Sequence, residues 1–231
     1  MHAKAGRLVL FAVDGTLIST GGRAGAALAS ALEETFGTAG PWESFRYSGK
    51  TDPQIVFELM GLAGLPRSAV EPRLPAVIAH YLGRLRDALS GDAVRVLPGV
   101  RELLAELAGT PGVHLGLLTG NVAPGAAIKL GAAGLAGAFA IGAYGSDDED
   151  RNKLVAVARD RAREHWGDEF AGARTVVIGD AEADVACARA GGARSVAVAS
   201  GWTNRGQLAS LGPDALLDTL EPPAALAAIL G

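Results

Sequence analysis

Short apolar runs alternate with stretches of helical spacing along this chain, and that alternation constrains the fold more than any other feature. The runs cover residues 8–13 (LVLFAV), 112–119 (GVHLGLLT), 139–144 (FAIGAY), 175–179 (TVVIG) and 195–199 (SVAVA), with 215–217 (ALL) as a short sixth. A strand that is apolar at every position is buried on both faces, as in a parallel sheet covered by helices. Residues 100–107, 151–166, 181–190 and 205–211 show helical spacing, and Asp148 or Asp150 can cap the start of the second of these. The expected fold is α/β, a Rossmann-like doubly wound parallel sheet. Only 5% of residues are aromatic against 49% apolar, so the core must be aliphatic, and 32 glycines suit many tight strand–helix loops.

Residues 20–92 break the rhythm. They carry helix-like segments at 24–36, 53–62 and 72–88 and no convincing buried strand. The expected organisation is therefore a core of residues 1–19 and 93–231 with an inserted α-helical cap at 20–92. A length of 231 residues fits one large domain with such an insertion.

Ligands of open parallel sheets bind beyond the carboxyl ends of the strands. Those ends read Asp14-Gly15-Thr16, Thr119-Gly120-Asn121, the acidic turn 145–150 followed by Arg151, and Gly179-Asp180 with Asp184 four residues on. Carboxylates, hydroxyls, exposed amides and one guanidinium at a common rim suit phosphate chemistry with a hard cation. Mg²⁺ takes oxygen ligands and leaves room for water and substrate oxygens. Amides at a helix start hold phosphoryl oxygens, and a guanidinium neutralises the transferring group.

In this order, V-D-G-T-L at 13–17, L-L-T-G-N at 117–121, G-A-Y-G-S-D-D-E-D-R at 142–151 and I-G-D at 178–180 resemble the motifs of the haloacid dehalogenase superfamily. The set is most similar to its small-capped, phosphoglycolate phosphatase-like group, with Arg151 as the variant of a more usual lysine. The resemblance implies an Mg²⁺-dependent phosphatase of a small phosphorylated metabolite, working through an aspartyl-phosphate. It implies Asp14 as general acid and then base, and Asp14, Asp180 and Asp184 at the metal. Thr119 and Arg151 would hold the phosphoryl group, with Gly15, Thr16, Gly120 and Asn121 around it. Lys50, with Gly49 and Asp52, would form a cap loop facing the substrate; a plain polar turn is the other reading.

One departure dominates. The family's nucleophile is an aspartate two residues before Asp14, and this chain has Ala12 there. A second lies in Asp180-Ala181-Glu182-Ala183-Asp184, whose middle is more often of a Thr-Pro type. The expected state is a phosphatase without its nucleophile, as an engineered Asp→Ala change would leave it, inactive or nearly so. The alternatives are a natural pseudophosphatase that binds a phosphorylated ligand or protein partner, and a mutase or dehalogenase on the same fold. The retained carboxylates favour the first, because an abandoned site has no physical reason to keep them together.

The remaining polar and sulfur-bearing residues fit structural or solvated roles. Lys129 is expected as a surface helix lysine, Lys153 as solvated, His80 and His114 as structural, and Cys187 as a small buried group. Gly49-Lys50-Thr51 is no P-loop, since Ser44 stands where its first glycine belongs. A net charge of −4 without a basic block argues against nucleic acid, and no run approaches a membrane span. With a lone cysteine and no disulfide possible within the chain, the expected location is cytoplasmic.

Overall fold

The computed structural model describes residues 6–91 and 93–231. In chain order the elements are β1 (Arg7–Phe11), β2 (Ile18–Ser19), α1 (Arg23–Phe36), α2 (Asp52–Leu62), α3 (Arg67–Val70), α4 (Leu74–Ala88), β3 (Arg95–Val96), α5 (Val100–Ala108), β4 (Val113–Thr119), α6 (Ala123–Ala132), β5 (Ile141–Tyr144), α7 (Leu154–Trp166), β6 (Thr175–Gly179), α8 (Glu182–Ala190), β7 (Arg194–Val198), α9 (Arg205–Ser210), β8 (Ala215–Leu217) and α10 (Ala224–Leu230).

Six strands form one sheet in the order β5-β4-β1-β6-β7-β8, and every pair in it is parallel. The alternating pleat of β1 explains how both faces are filled. Val9 and Phe11 point into a cluster with Leu103, Leu107 and Ile229 of α5 and α10, while Leu8 and Leu10 meet Leu154, Val155, Ala158 and Ala188 of α7 and α8. The aliphatic core follows directly from the composition.

Helices α1 to α4 bury their own cluster, with Leu28, Leu32, Val56, Leu59, Val77, Tyr81 and Leu85 at its centre. That separate core explains why residues 20–92 show helical spacing but no buried strand. The segment joins the sheet through a two-stranded antiparallel ribbon, with Ile18 opposite Val96 and Ser19 opposite Arg95. Two-residue strands are too short to show a period, so the sequence reading lacked the ribbon. The structure also trims two expectations. The third strand starts at Ile141 rather than Phe139. The helix expected from 151 opens as a 3-10 turn over Arg151–Lys153, capped by Asp150, whose side chain accepts the Asn152 N–H at 3.0 Å. No helix among the described residues is long and apolar enough to cross a membrane.

Candidate functional site

The site sits where β1, β4 and β6 end. Ala12 follows β1 and remains tied to the sheet, its N–H donating to the Ile178 carbonyl at 2.9 Å. Next the chain curls tightly, with the Val13 carbonyl accepting from the N–H groups of Leu17 (2.9 Å) and Ile18 (3.1 Å). Gly15 adopts φ +80°, and a Cβ there would lie 2.3 Å from a carboxylate oxygen of Asp180. Only glycine supplies both the left-handed turn and that close approach. The Thr16 hydroxyl donates to Asp180 Oδ1 at 2.9 Å, so the ends of β1 and β6 are joined inside the protein.

Thr119 ends β4 and is almost wholly buried. Its hydroxyl oxygen accepts two bonds, from the Asn121 N–H at 3.2 Å and from Asn121 Nδ2 at 2.7 Å. The same Nδ2 donates to Asp14 Oδ2 at 2.8 Å. Here the structure corrects the sequence reading of Lys129. That side chain is 4% exposed, and its Nζ donates to Asp14 Oδ2 at 2.7 Å and to Asn121 Oδ1 at 2.5 Å. The inward face of α6 also carries Ala126 and Leu130, and a lysine among them needs a charged partner to remain buried. Asp14 is that partner, 115 positions away in the chain, and nothing in the local sequence signals it.

Arg151 is buried and Lys153 is exposed, as their different helix faces require. An Arg151 Nη2 hydrogen bond pairs it with Asp184 Oδ1, and Nη1 donates to the Gly49 carbonyl at 3.2 Å. Burial opposes its charge, but Asp184, Cys187 and Asp180 outweigh that and hold the guanidinium above its ordinary value. Lys153 instead pairs with Asp148 at 2.9 Å. Asp184 spends its other oxygen on the Ala181 N–H at 2.9 Å, so it both starts α8 and neutralises Arg151.

The helical segment closes over this rim. The Asp52 N–H donates to the Gly120 carbonyl at 2.7 Å, and Asp52 Oδ2 accepts the Val122 N–H at 2.8 Å. A Cβ on Gly120 would sit 2.0 Å from the Lys50 carbonyl oxygen, so the backbones touch there. Asp52 is buried, and burial pushes its carboxyl up to about 6 against the pull of Lys129 and the Val122 N–H. The Lys50 side chain pairs with Glu58 at 2.8 Å. It lines an open cleft of about 1070 Å³ with Ser48, Phe57, Arg67, Arg151 and Lys153. Ser48 Oγ and Arg151 Nε are buried there without hydrogen-bond partners.

Hard-cation chemistry finds one clear donor. Asp180 is buried, hydrogen-bonded to Thr16, and not ion-paired to a lysine or arginine among the described residues. Burial, with Asp184 adding to it, pushes its carboxyl up to about 7. A divalent cation would relieve that cost. Among the described residues no three His, Cys, Asp or Glu side chains group as a metal cage. Mg²⁺ needs only one or two carboxylates, with waters and substrate oxygens completing its shell, so the donor set fits it.

The HAD-hydrolase-like family matches residues 151–222. A phosphoglycolate phosphatase from Synechococcus elongatus is 33% identical over 144 residues, covering 61% of this chain and 64% of that protein. The match thus spans just under two thirds of the relative's length. Three solved structures share the fold across nearly the whole chain. A predicted phosphoglycolate phosphatase from Haemophilus somnus has a TM-score of 0.72 at 18% identity, covering 96% of this chain and 97% of that one. CbbY from Rhodobacter sphaeroides, in complex with phosphate, has a TM-score of 0.68 at 19% identity, covering 98% and 100%. A hydrolase from Pseudomonas syringae has a TM-score of 0.67 at 23% identity, covering 96% and 98%.

Proposed function

We propose that the site of this chain, which matches the HAD-hydrolase-like family over residues 151–222 and shares its fold with the solved structures above, is that of a phosphatase for a small phosphorylated metabolite, carrying Ala12 where the nucleophile belongs. The observation that supports this reading is the convergence of Asp14, Thr119, Arg151 and Asp180 at the carboxyl ends of four neighbouring parallel strands, β1, β4, β5 and β6. An isolated Asp-Gly turn would not need the other three.

In this reading Thr119 and the neighbouring backbone amides hold phosphoryl oxygens, and Arg151 supplies positive charge beside them. Asp180 is the carboxylate that would hold Mg²⁺, with the Asp14 backbone carbonyl and Asp184 as the further donors the family resemblance assigns; in this structure Asp184 is paired with Arg151. The cation would supply charge neutralisation at the phosphoryl group. With an aspartate at position 12, its oxygen forms a bond to phosphorus while the ester P–O bond breaks, and Asp14 gives its proton to the departing alcohol oxygen. Water then attacks the aspartyl-phosphate, Asp14 takes the proton, and the carboxylate is released with phosphate. Ala12 has no atom to form that bond, so the chain with Ala12 binds substrate and turns it over orders of magnitude more slowly. Helices α1 to α4 act as a cap whose loop 49–52 covers the site. The net charge of −4 and the lone thiol favour a cytoplasmic protein acting on small molecules rather than nucleic acid.

The test is Ala12→Asp assayed on a broad panel of phosphate esters with Mg²⁺ and with chelator. Expected is phosphate release that chelator abolishes, and tighter Mg²⁺ binding than with Ala12. Phosphate release that survives chelation would overturn the Mg²⁺-dependent reading, and chelator-resistant halide release from a haloacid, with no phosphate release from the esters, would point to a dehalogenase. Ala12 itself favours a second reading, a pseudophosphatase that only binds. That reading expects thermal stabilisation of the Ala12 chain by a phosphorylated ligand and no turnover after restoration.

A further inference from the structure

The least expected residue near the site is Lys129. It lies on the inward face of α6 between Ala126 and Leu130, where an apolar side chain would be cheaper to bury. Its bonds form a connected set. Nζ donates to Asp14 Oδ2 at 2.7 Å and to Asn121 Oδ1 at 2.5 Å, while Asn121 Nδ2 donates to Asp14 Oδ2 at 2.8 Å and to Thr119 Oγ1 at 2.7 Å.

Two consequences follow from donor and acceptor roles alone. An ammonium group can only donate, so it compels Asn121 to turn Oδ1 toward it and Nδ2 toward Asp14 and Thr119. Thr119 Oγ1 then accepts from Nδ2 and from the Asn121 N–H at 3.2 Å, which fills both its lone pairs and leaves its proton free to donate outward. Both bonds to Asp14 fall on Oδ2, so the carboxylate is anchored by one oxygen with Oδ1 free of them. We propose that Lys129 is the positioning residue of this site: it fixes the Asp14 carboxylate by one oxygen and sets the Asn121 amide so that Thr119 presents a donor to an anion. Lys129 touches neither substrate nor metal in this role, and it is distinct from Arg151, which belongs to another strand end.

The proposal builds on the phosphatase reading, so its test has one arm with turnover and one without. In the Ala12→Asp background, Lys129→Met is compared on an alkyl phosphate, whose leaving oxygen needs a proton, and on p-nitrophenyl phosphate, whose leaving group does not. A misplaced acid lowers the ratio of the two kcat/KM values, which end at transfer to the enzyme and exclude the shared hydrolysis step, by about 30-fold or more, and Lys129→Arg recovers part of that ratio. Equal losses on both esters, or none, overturn the proposal, since a merely structural lysine would not distinguish leaving groups. If Lys129→Met does not fold, Lys129→Gln takes its place with the same expected fall in ratio.

The second arm uses the chain with Ala12 and needs no activity. A crystal structure of its Lys129→Met variant is expected to show the Asp14 carboxylate rotated from its position and the Asn121 amide reversed. Both groups unmoved would overturn the proposal whatever the rates. An Ala12→Asp parent without turnover, together with a displaced Asp14, would sink the phosphatase reading and leave the positioning role standing.

Discussion

Replacing Asp52 by Asn is expected to stabilise the protein at neutral pH, by an amount the structure lets one work out. Asp52 begins α2, is only 6% exposed, and has its carboxyl pushed up from 3.8 to about 6, chiefly by burial. The native state therefore keeps this proton to higher pH than the unfolded chain does. The group's contribution is fully present at acid pH and is lost as pH rises through its native value. A shift of about two units at 1.36 kcal/mol each amounts to roughly 3 kcal/mol above pH 7. Asn retains an oxygen for the Val122 N–H and carries no charge. The variant should exceed the parent by roughly 3 kcal/mol near pH 7.5, about 6–12 °C in Tm for a chain of this size, and match it near pH 4. Urea unfolding of both proteins across that range reads the gap directly. A gap independent of pH, or an Asn variant less stable than its parent near pH 7.5, would refute the reasoning.

Two further outcomes follow from particular contacts. Gly120→Ala places a Cβ 2.0 Å from the Lys50 carbonyl and 2.9 Å from Thr51 Cα, backbone atoms that cannot yield cheaply. It should destabilise the protein by about 1–3 kcal/mol and open the 48–52 loop to limited proteolysis; an unchanged melt and cleavage pattern would contradict the close docking. The Cys187 thiol is wholly buried and pushed up to about 11, so a thiol reagent near pH 8 should label it at the rate of unfolding, one thiol per chain in denaturant. Rapid labelling of the native protein would count against that burial.

The sheet was legible because strands buried on both faces have little choice but continuous apolar runs. Asp14, Thr119 and Asp180 were legible because they punctuate those runs, and strand ends share one rim. Helix phase allows only one of Arg151 and Lys153 to reach the rim, nearness to the helix start favours Arg151, and the structure buries the first and exposes the second. Lys129 was misread for an instructive reason. On a helix a lysine defaults to solvent, and only a carboxylate brought from a distant strand end reverses that default. Lys50 was assigned to the phosphate side by its neighbourhood in sequence, whereas Glu58, two helical turns on, takes its charge. The local sequence leaves Asp52 between a substrate-facing cap loop and a plain polar turn, because the Val122 N–H that donates to it belongs to a different part of the chain.

The ribbon of β2 and β3 has a consequence for how such a protein can change. Where Ser19 faces Arg95, the outgoing and returning chains lie side by side, and the Leu97 N–H still bonds to the Leu17 carbonyl at 3.0 Å. The ends of the whole helical segment are thus held at a separation that does not depend on what lies between them. Lengthening such a loop costs only about 0.6 kcal/mol per doubling, so the segment can be traded for a longer, shorter or differently folded one without disturbing a strand. The ribbon makes the upper half of this molecule an exchangeable fitting, and selection for new substrates can work on it while the sheet stands still.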